Sequence, residues 1–351
     1  MQGMRLRYDG GSMDHRERFL AYFEGEVPDR TPIFLRDFTL GLDNLGCRTT
    51  DLLSETYDSE LSSRSVLSFG RLTGQDAVIG CVHTPAFLVD QFGGKMNVTE
   101  YGIPSVIENP LSSPGTLDGQ ETAIKGLALK AVESYHLTRR DCGGLAVVGN
   151  VTGPLTKASV LMGMDVLCLA MEQDIGFVKE VIELGIEATY SYLELIRDDI
   201  DVVFFASASD SPTLFGNDVI KDFSISYLKD MVAKVHSFGL PVIHHPHGDY
   251  YNREMIDSVL SADIDCFNFA ENANPSSLCE MVDDRCVIMG GTEIVPTLFS
   301  GTREQVISET ERYMGACSGS RYIFSCSCSL QRGTPIEPIL TMCDAARNFK
   351  G

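Results

Sequence analysis

The sequence predicts an α/β protein that folds as a (β/α)8 TIM barrel with an N-terminal extension. The chain has 351 residues, which is long enough for one large barrel or two ordinary domains. Short β-rich apolar runs alternate with longer amphipathic stretches, the pattern of a parallel sheet with helical crossovers. There are eight such runs and no low-complexity linker, so we expect one domain. This domain would span residues 21–351 and follow an N-terminal extension at residues 1–20, which we expect to be partly disordered.

The elements are predicted in the order in which the chain presents them. The runs expected to form strands lie at residues 31–36, 76–81, 145–149, 201–206, 240–244, 266–270, 286–289 and 322–325. Between them, residues 177–196 show the clearest helical pattern, because their apolar side chains recur every three or four positions. Residues 95–140 look irregular and are expected to include a hairpin or an excursion from the barrel.

Composition and charge exclude several classes of function. The chain is 44% hydrophobic and carries a net charge of −21, which repels nucleic acids and anionic membrane surfaces. We find no apolar run of about 20 residues and no apolar signal-peptide core near the N-terminus, so we expect a cytoplasmic protein. Eleven cysteines in such a protein favour reduced thiols over a disulfide framework.

Three of the seven histidines lie within four positions, at His244, His245 and His247. Imidazoles at the end of a strand are suited to binding a transition metal. The H-x-H spacing is also common in polar loops whose histidines only form hydrogen bonds. Because side chains alternate along a strand, His244 should point away from the face that His245 occupies and have a structural role.

Polar side chains that follow the predicted strands indicate where a site would form. In a (β/α)8 barrel the chemistry takes place at the carboxyl ends of the strands. The residues at these positions are Arg36, Asp37, His83, Asn150, Thr152, Ser207, Ser209, His245, His247, Asp249, Asn268, Glu271, Glu293, Cys326 and Cys328. Cys328, Glu271 and Glu293 are therefore candidates to complete a metal site with His245 and His247.

Several motifs, loose alone but specific in this order, resemble the uroporphyrinogen decarboxylase superfamily. Within it, they are most similar to the branch of zinc-dependent, corrinoid-linked methyltransferases that includes the methylcobalamin:coenzyme M methyltransferases. The motifs are Arg-Thr-Pro-Ile (30–33), Tyr-Gly-Ile-Pro-Ser-Val (101–106), Gly-Asn-Val-Thr-Gly-Pro-Leu-Thr (149–156), Phe-Ser-Ile-Ser-Tyr-Leu-Lys (223–229), His-Pro-His-Gly (245–248) and Thr-Pro-Ile-Glu (334–337). The resemblance covers nearly the whole chain and implies a (β/α)8 barrel.

The resemblance also implies a zinc site. The branch typically uses His-x-Cys-Gly, completed by a Cys shortly before a late Thr-Pro. His245, Gly248 and Cys328 match this pattern, whereas His247 stands where the branch has Cys. Imidazole binds zinc as readily as thiolate does, so a His245, His247, Cys328 site remains chemically sound. The alternative is a site that has lost its metal.

Decarboxylation of uroporphyrinogen fits the sequence poorly. The decarboxylases would require an Arg-Gln-Ala-Gly-Arg segment, whose arginines pair with the substrate propionates, and a later Phe-Ser-Asp segment. This chain keeps Arg36, has Leu40 in place of the second Arg, and reads Ile-Gly-Cys-Val-His, ending at His83, where the Asp segment is expected. An octa-anionic substrate needs cationic partners, which this acidic chain lacks at these positions.

The exchange at His247 favours a role on the methyl-donor side. A zinc ion with one thiolate fewer is more electrophilic and better suited to polarising an ether oxygen. We therefore expect methyl transfer from a small methoxylated substrate to cob(I)alamin. The corrinoid would arrive on a separate protein, because the Asp-x-His-x-x-Gly pattern of cobalamin-binding domains is absent. Two alternatives remain open: a methylcobamide-to-thiol methyltransferase, and a barrel that binds without turnover.

Roles for the surrounding residues follow from this hypothesis. Glu271 or Glu293 is expected to act as a fourth zinc ligand or proton donor, and His83 is the third catalytic candidate. Arg36, Asn150 and Asn268 are expected to contact substrate. For His83, Asn150 and Asn268 the alternative is a hydrogen bond that fixes a loop. Members of the family are often dimers, so the resemblance also suggests a homodimer.

Overall fold

The computed structural model describes residues 12–350 except residues 38, 85 and 331, and it leaves the side chain of Ala86 undescribed. Its strands are β1 (Ala77–Ile79), β2 (Lys95–Asn97), β3 (Ser105–Glu108), β4 (Ala146–Thr152), β5 (Val202–Ser207), β6 (Val242–Pro246), β7 (Cys266–Asn268), β8 (Val287–Thr292) and β9 (Tyr322–Cys326). Seven of them form one parallel sheet in the order β1-β4-β5-β6-β7-β8-β9. This chain order with helical crossovers is that of a (β/α)8 barrel.

The eighth position of the barrel is occupied by residues 33–37, next to β9. Ile33 forms a parallel bridge with Phe324, and Asp37 forms one with Leu330. The N–H of Phe34 also donates to the carbonyl oxygen of Phe324 at 3.0 Å. The segment therefore lies where the first predicted strand was expected, but it forms isolated bridges instead of a continuous ladder.

Side chains replace the ladder on the other side of this segment, towards β1. The carboxylate of Asp76 accepts a hydrogen bond from the N–H of Ile33 at 2.8 Å, and the side-chain oxygen of Gln75 accepts one from Leu35 at 2.7 Å. The N–H of Asp76 in turn donates to the carbonyl oxygen of Ile33. These bonds join the two ends of the sheet, and the predicted TIM-barrel fold is confirmed.

Sixteen α-helices lie in the described residues, and all but α1 lie outside the barrel interior. They are α1 (His15–Leu20), α2 (Leu40–Asn44), α3 (Thr49–Leu52), α4 (Ser59–Thr73), α5 (Ala86–Gln91), α6 (Gly126–Asp141), α7 (Pro154–Met162), α8 (Met164–Gln173), α9 (Ile175–Ile196), α10 (Pro212–Phe215), α11 (Asn217–Ile220), α12 (Ser226–His236), α13 (Arg253–Leu260), α14 (Pro275–Val282), α15 (Arg303–Ala316) and α16 (Ile336–Asn348). Lys221–Ile225 and Ile294–Phe299 are π-helical segments. Helix α9 matches the predicted helix at 177–196, because that stretch buries one continuous apolar face.

The N-terminal end of the barrel is filled by helix α1. Phe19 and Leu20 pack into the interior cluster with Phe34, Val148 and Phe204. Of the predicted N-terminal extension at 1–20, residues 1–11 lie outside the described residues. Residues 15–20 form a helix that packs against the barrel interior.

The segment at 95–140 contains both irregular and regular structure. Strands β2 and β3 form an antiparallel hairpin apart from the barrel sheet, whereas α6 is a regular helix of 16 residues that packs against α4, α5 and α9. Among the helices described here, none is long and apolar enough alone to cross a membrane. Helices α7 and α8 meet the length and composition requirement only together, and they are bent by 108° at their junction.

Candidate metal centre

Three side chains converge at the carboxyl end of the barrel. His245 lies near the end of β6, His247 follows the end of that strand, and Cys328 follows β9. One ligand atom from each of the three lies within 4.8 Å of the others. The Nε2 atom of His247 is 3.5 Å from the sulfur of Cys328, and the two imidazole ring centres are 4.7 Å apart. Two imidazoles and a thiol at this separation suit a zinc ion.

The Nδ1 atom of each imidazole contacts an oxygen atom on the side of the ring away from the site. The Nδ1 atom of His245 donates to the carbonyl oxygen of Asn268 at 3.1 Å, and Nδ1 of His247 is 3.3 Å from a carboxylate oxygen of Glu271. Both bonds leave Nε2 facing the site, and Nε2 of His245 is buried without a hydrogen-bond partner among the described residues. Metal-binding histidines are oriented in this way by carbonyl and carboxylate oxygens. The residues therefore fit a zinc ion.

Burial and neighbouring charges set the protonation states of these groups, and a metal ion would have to displace the proton that His247 holds near neutral pH. Burial lowers the pKa of His245, with the neighbouring His247 and Arg36 adding to the effect, so its imidazole is neutral. Burial also lowers the pKa of His247, but hydrogen bonds to Cys328 and Glu271 outweigh it and raise the value to about 9. Burial raises the pKa of Cys328, whereas His247 and Arg36 outweigh it and lower the pKa below its usual value. The thiolate, which is the form that binds metals, is thus favoured.

The turn after the histidines requires glycine. Gly248 has a φ of +89°, a conformation that side chains rarely adopt. A Cβ atom at this position would lie 2.2 Å from the hydroxyl oxygen of Ser211. The Gly of the His-Pro-His-Gly motif is therefore explained by the close approach of this neighbouring loop.

His244 points away from the three converging side chains. It is buried, and its Nε2 atom is 3.2 Å from the hydroxyl oxygen of Ser207 on β5. Ile243, its neighbour in sequence, packs in the barrel interior. The alternation along β6 thus separates His244 from His245, as expected for a strand.

The two predicted carboxylates occupy different surroundings. Glu271 contacts His247, so the structure places its carboxylate behind that imidazole. Glu293 instead accepts a hydrogen bond from the N–H of Asn272 at 3.2 Å. The structure therefore brings Glu271 to the cluster in an orienting position and uses Glu293 to hold the loop after β7.

Of the predicted substrate contacts, Asn268 is engaged within the sheet. Its side-chain nitrogen donates to the carbonyl oxygens of Phe269 and Met289. Its own carbonyl oxygen is the group that orients His245. The sequence identified Asn268 as part of the site but not the role of its main-chain oxygen, because the type of side chain does not reveal a main-chain hydrogen bond.

Arg36 connects the cluster to a second polar group. The guanidinium donates to Ser329 and, at 3.3 Å, to the side-chain oxygen of Asn150, and it lies over the ring of Phe204. Burial lowers the pKa of Arg36, while the sulfur of Cys328 opposes that change. Arg36 is thus a cation next to the Cys328 sulfur.

His83 and Asn150 line a cavity beside this arginine. Atoms Nδ1 of His83 and Nδ2 of Asn150 are buried and have no hydrogen-bond partner among the described residues. Tyr192 lines the same cavity, and its hydroxyl interacts with Cys81 and Tyr135. Neither Tyr192 nor Ser329 was identified from the sequence. A tyrosine on the buried face of the predicted helix at 177–196 was the available signal, since a buried hydroxyl needs a partner.

Comparisons with known proteins agree with this architecture. The family model for uroporphyrinogen decarboxylase (URO-D) matches residues 14–349. A methyltransferase from Methanosarcina mazei superposes with a TM-score of 0.84 at 20% identity, covering 96% of this chain and 99% of that one. A B12-independent methionine synthase from Shewanella sp. W3-18-1 gives a TM-score of 0.55 at 13% identity, covering 90% and 95%.

The search of curated proteins gave no match. At these identities the structural likenesses show the fold, whereas the family match extends over almost the whole chain. The resemblance read from the motifs is thus confirmed at the level of the family. The chain belongs to the uroporphyrinogen decarboxylase family.

Proposed function

We propose that this protein is a zinc-dependent methyltransferase that removes the methyl group from a small methoxylated compound and passes it to cob(I)alamin on a separate corrinoid protein. The observation that carries the proposal is the convergence of His245, His247 and Cys328. Its support comes from the unpartnered Nε2 of His245 and from the oxygens that fix both imidazoles. Family membership and the methyltransferase-like fold are consistent with it.

The donor set determines the chemistry that the site supports. Nε2 of each histidine and the sulfur of Cys328 would hold zinc with one thiolate and two neutral imidazoles, which leaves a position for substrate. When bound, zinc supplies a Lewis acid that withdraws charge from an ether oxygen. Glu271 orients His247, and Arg36 balances the charge of the Cys328 thiolate. We further propose that the protein acts in the cytoplasm and forms a homodimer.

Metal analysis tests the site directly. We expect about one zinc per chain in the purified protein, measured by mass spectrometry of the metal, and loss of zinc in His247→Ala and Cys328→Ala. Cys343→Ala is the matched control, because Cys343 is buried on helix α16 and lies outside the cluster. A wild-type protein that binds no zinc, or a Cys328→Ala variant that retains it fully, would contradict the assignment.

The direction of transfer is tested with a reduced corrinoid protein and a panel of methoxyarenes. Formation of methylcobalamin, followed by its absorption spectrum, is the expected result. The second candidate, methylcobamide-to-thiol transfer, is favoured by the presence of the Cys328 thiolate among the ligands, since electron-rich zinc sites activate thiols. Demethylation of methylcobalamin by a thiol, with no reaction from any ether, would replace our proposal with that one.

A further inference from the structure

Two cysteine side chains meet between the helices that follow β7 and β8. Cys279 lies on helix α14, and Cys317 caps the carboxyl end of helix α15. Their sulfur atoms are 3.6 Å apart, within hydrogen-bond distance for two sulfurs. Both thiols are free, and neither belongs to the cluster of His245, His247 and Cys328. The two cysteines are therefore a second group of nucleophilic side chains, which the candidate metal centre does not include.

The two thiols differ in their access to solvent. Cys279 is half-buried, whereas Cys317 is 2% exposed. A molecule in solution therefore reaches Cys279 more easily than Cys317. An accessible cysteine next to a buried one is the arrangement in which the first reacts and the second resolves the product.

Hydrogen bonds favour the thiolate form of Cys279. Cys317 and Ser320 hold the pKa of Cys279 below its usual value, although burial opposes them. The same interaction raises the pKa of Cys317, which remains a thiol and donates to its neighbour. Because the thiolate is the nucleophile in disulfide exchange, Cys279 is the attacking group of the pair.

Five other cysteines are in surroundings that disfavour reaction. Burial is the largest influence on each of them, and it raises their pKa, so that they stay protonated. They are Cys81, Cys266, Cys286, Cys326 and Cys343. Buried thiols of this kind are chemically inert. Cys279 differs from them because a second thiol stabilises its charge.

The backbone next to Cys317 leaves room for a bond to form. The two sulfurs would have to approach each other by about 1.5 Å to reach bonding distance. Cys317 ends its helix and begins a turn in which Gly319 has a φ of +89°. This turn, residues 317–320, lines a cavity of about 370 Å³, so there is space beside it. Rotation of the two side chains, with a small shift of the turn, therefore brings the sulfurs together.

We propose that Cys279 and Cys317 form a reversible disulfide by exchange with a low-molecular-weight disulfide, which makes them a redox-modification site. The thiolate of Cys279 attacks one sulfur of the small disulfide RSSR, whose S–S bond breaks and releases one RS⁻. Cys317 then loses its proton to solvent, attacks the Cys279 sulfur of this mixed disulfide and releases the second RS⁻. The two cysteines lose two electrons and two protons in total, and RSSR is reduced to two RSH.

The order of these steps agrees with the charges of the pair. In the mixed disulfide Cys279 carries no charge, so the main cause of the raised pKa of Cys317 is removed at the step in which Cys317 must react. Disulfides in reducing compartments are usually transient and redox-sensing, which fits a bond that forms by exchange. The site goes beyond the proposed function and holds whether or not the protein transfers methyl groups.

Peptide mapping of the oxidised wild-type protein tests the proposal without any substitution. The purified protein is equilibrated with oxidised glutathione, free thiols are blocked with iodoacetamide, and unreduced peptides are analysed by mass spectrometry. We expect the peptides of Cys279 and Cys317 to be joined, with a mass lower by two hydrogen atoms, and dithiothreitol to restore both thiols. Two alkylated cysteines, or glutathione that remains on Cys279 in the wild type, would overturn the inference.

Single substitutions test the separate roles of the two thiols. Cys317→Ser should stop at a mixed disulfide between Cys279 and glutathione. Cys279→Ser should slow the loss of the Cys317 thiol about tenfold or more, because the buried thiol lacks its attacking partner. Cys168→Ser is the matched control, because Cys168 is exposed on helix α8 and the disulfide should form as in the wild type. Equally fast loss of the Cys317 thiol in Cys279→Ser and in the wild type would contradict the assigned roles.

Discussion

His247 is held from two sides, by the thiolate of Cys328 and the carboxylate of Glu271. The carboxylate fixes the ring so that Nε2 faces the site, and loss of such an orienting group typically lowers metal affinity 10- to 100-fold. We therefore expect Glu271→Gln to weaken zinc binding about tenfold, measured by competition with a chelator. Glu293→Gln is the control, since the carboxylate of Glu293 accepts from the N–H of Asn272 and not from His247. Equal zinc affinity in the two variants would show that Glu271 does not contribute to zinc binding.

The identity of residue 247 should also set the reaction that the site prefers. His247→Cys restores the pattern His-x-Cys-Gly and adds a second thiolate, which makes a bound zinc ion less electrophilic. We expect the variant to keep its zinc but to lose ether demethylation relative to methylation of a thiol, when both rates are measured on one preparation. An unchanged ratio of the two rates would show that the ligand exchange does not determine the direction of transfer.

Lys157 gives a prediction about pH. Its ammonium is buried and donates to the main-chain and side-chain oxygens of Thr152, and burial lowers its pKa to about 7. Because the folded pKa lies below the unfolded value of about 10.4, the unfolded chain binds more protons between these two values, and the free energy of unfolding rises with pH in that window. From pH 7 to 9 this group should add about 2 kcal/mol of stability.

Urea unfolding of the wild type and Lys157→Met at both pH values measures this effect. The methionine variant keeps the length of the side chain without a proton to lose, so its stability should lack this rise. The difference between the two proteins, not either value alone, isolates Lys157 from the other titrating groups. A difference that stays constant from pH 7 to 9 would contradict the lowered pKa.

Much of the candidate metal centre could be predicted at the level of single residues. His245, His247 and Cys328 were identified because side chains that follow parallel strands meet at one end of a barrel. The contributions of Asn268 and Glu293 could not be predicted in the same way. Asn268 orients His245 through its main-chain oxygen, and Glu293 turns towards a neighbouring loop, so both depend on local backbone geometry.

At the scale of elements, helix α7 is anchored by one buried carboxylate. Asp210 accepts hydrogen bonds from the N–H groups of Leu155 and Thr156, and from the hydroxyls of Thr156 and Ser224. An anion at a helix N-terminus is favoured by the exposed N–H groups and the helix dipole. Asp210→Asn removes the charge and replaces one acceptor by a donor, which should cost about 3 kcal/mol.

Chemical denaturation measures this cost. Asp218→Asn is the control, because Asp218 is exposed on the nearby helix α11 and the same exchange there should change stability by less than about 0.5 kcal/mol. If both variants unfold at the same denaturant concentration, Asp210 does not anchor the helix.

The elements also show which local sequence patterns are enough to predict a strand. Seven of the eight predicted strands form the parallel sheet, because their apolar runs are buried on both faces. The run at 31–36 has the same composition but forms isolated bridges, since Gln75 and Asp76 take its N–H groups. Two side chains 40 or more positions away determine this outcome, and no local pattern contains that information.

For the whole molecule, closure of the barrel depends on Asp76. This residue lies where the segment at residues 33–37 meets β1 and helix α1. Its carboxylate is 0% exposed and accepts hydrogen bonds from Arg18, from both terminal nitrogens of Arg30 and from the N–H of Ile33, each at 2.8 Å. His15 adds a contact at 2.9 Å. Fold class was predictable from the order of strands, whereas this closure was not, because it joins residues far apart in the chain.

We expect Asp76→Asn to destabilise the protein by about 3–5 kcal/mol, because it leaves Arg30 without its carboxylate partner and Arg18 with Asp29 alone. Asp14→Asn is the control: Asp14 caps the same helix at an exposed position, and asparagine caps equally well. Thermal unfolding gives the free-energy difference, and hydrogen exchange should show that protection falls first in residues 15–35. Loss of protection spread evenly over all strands would instead mean that Asp76 supports the barrel as a whole and not its closing segment.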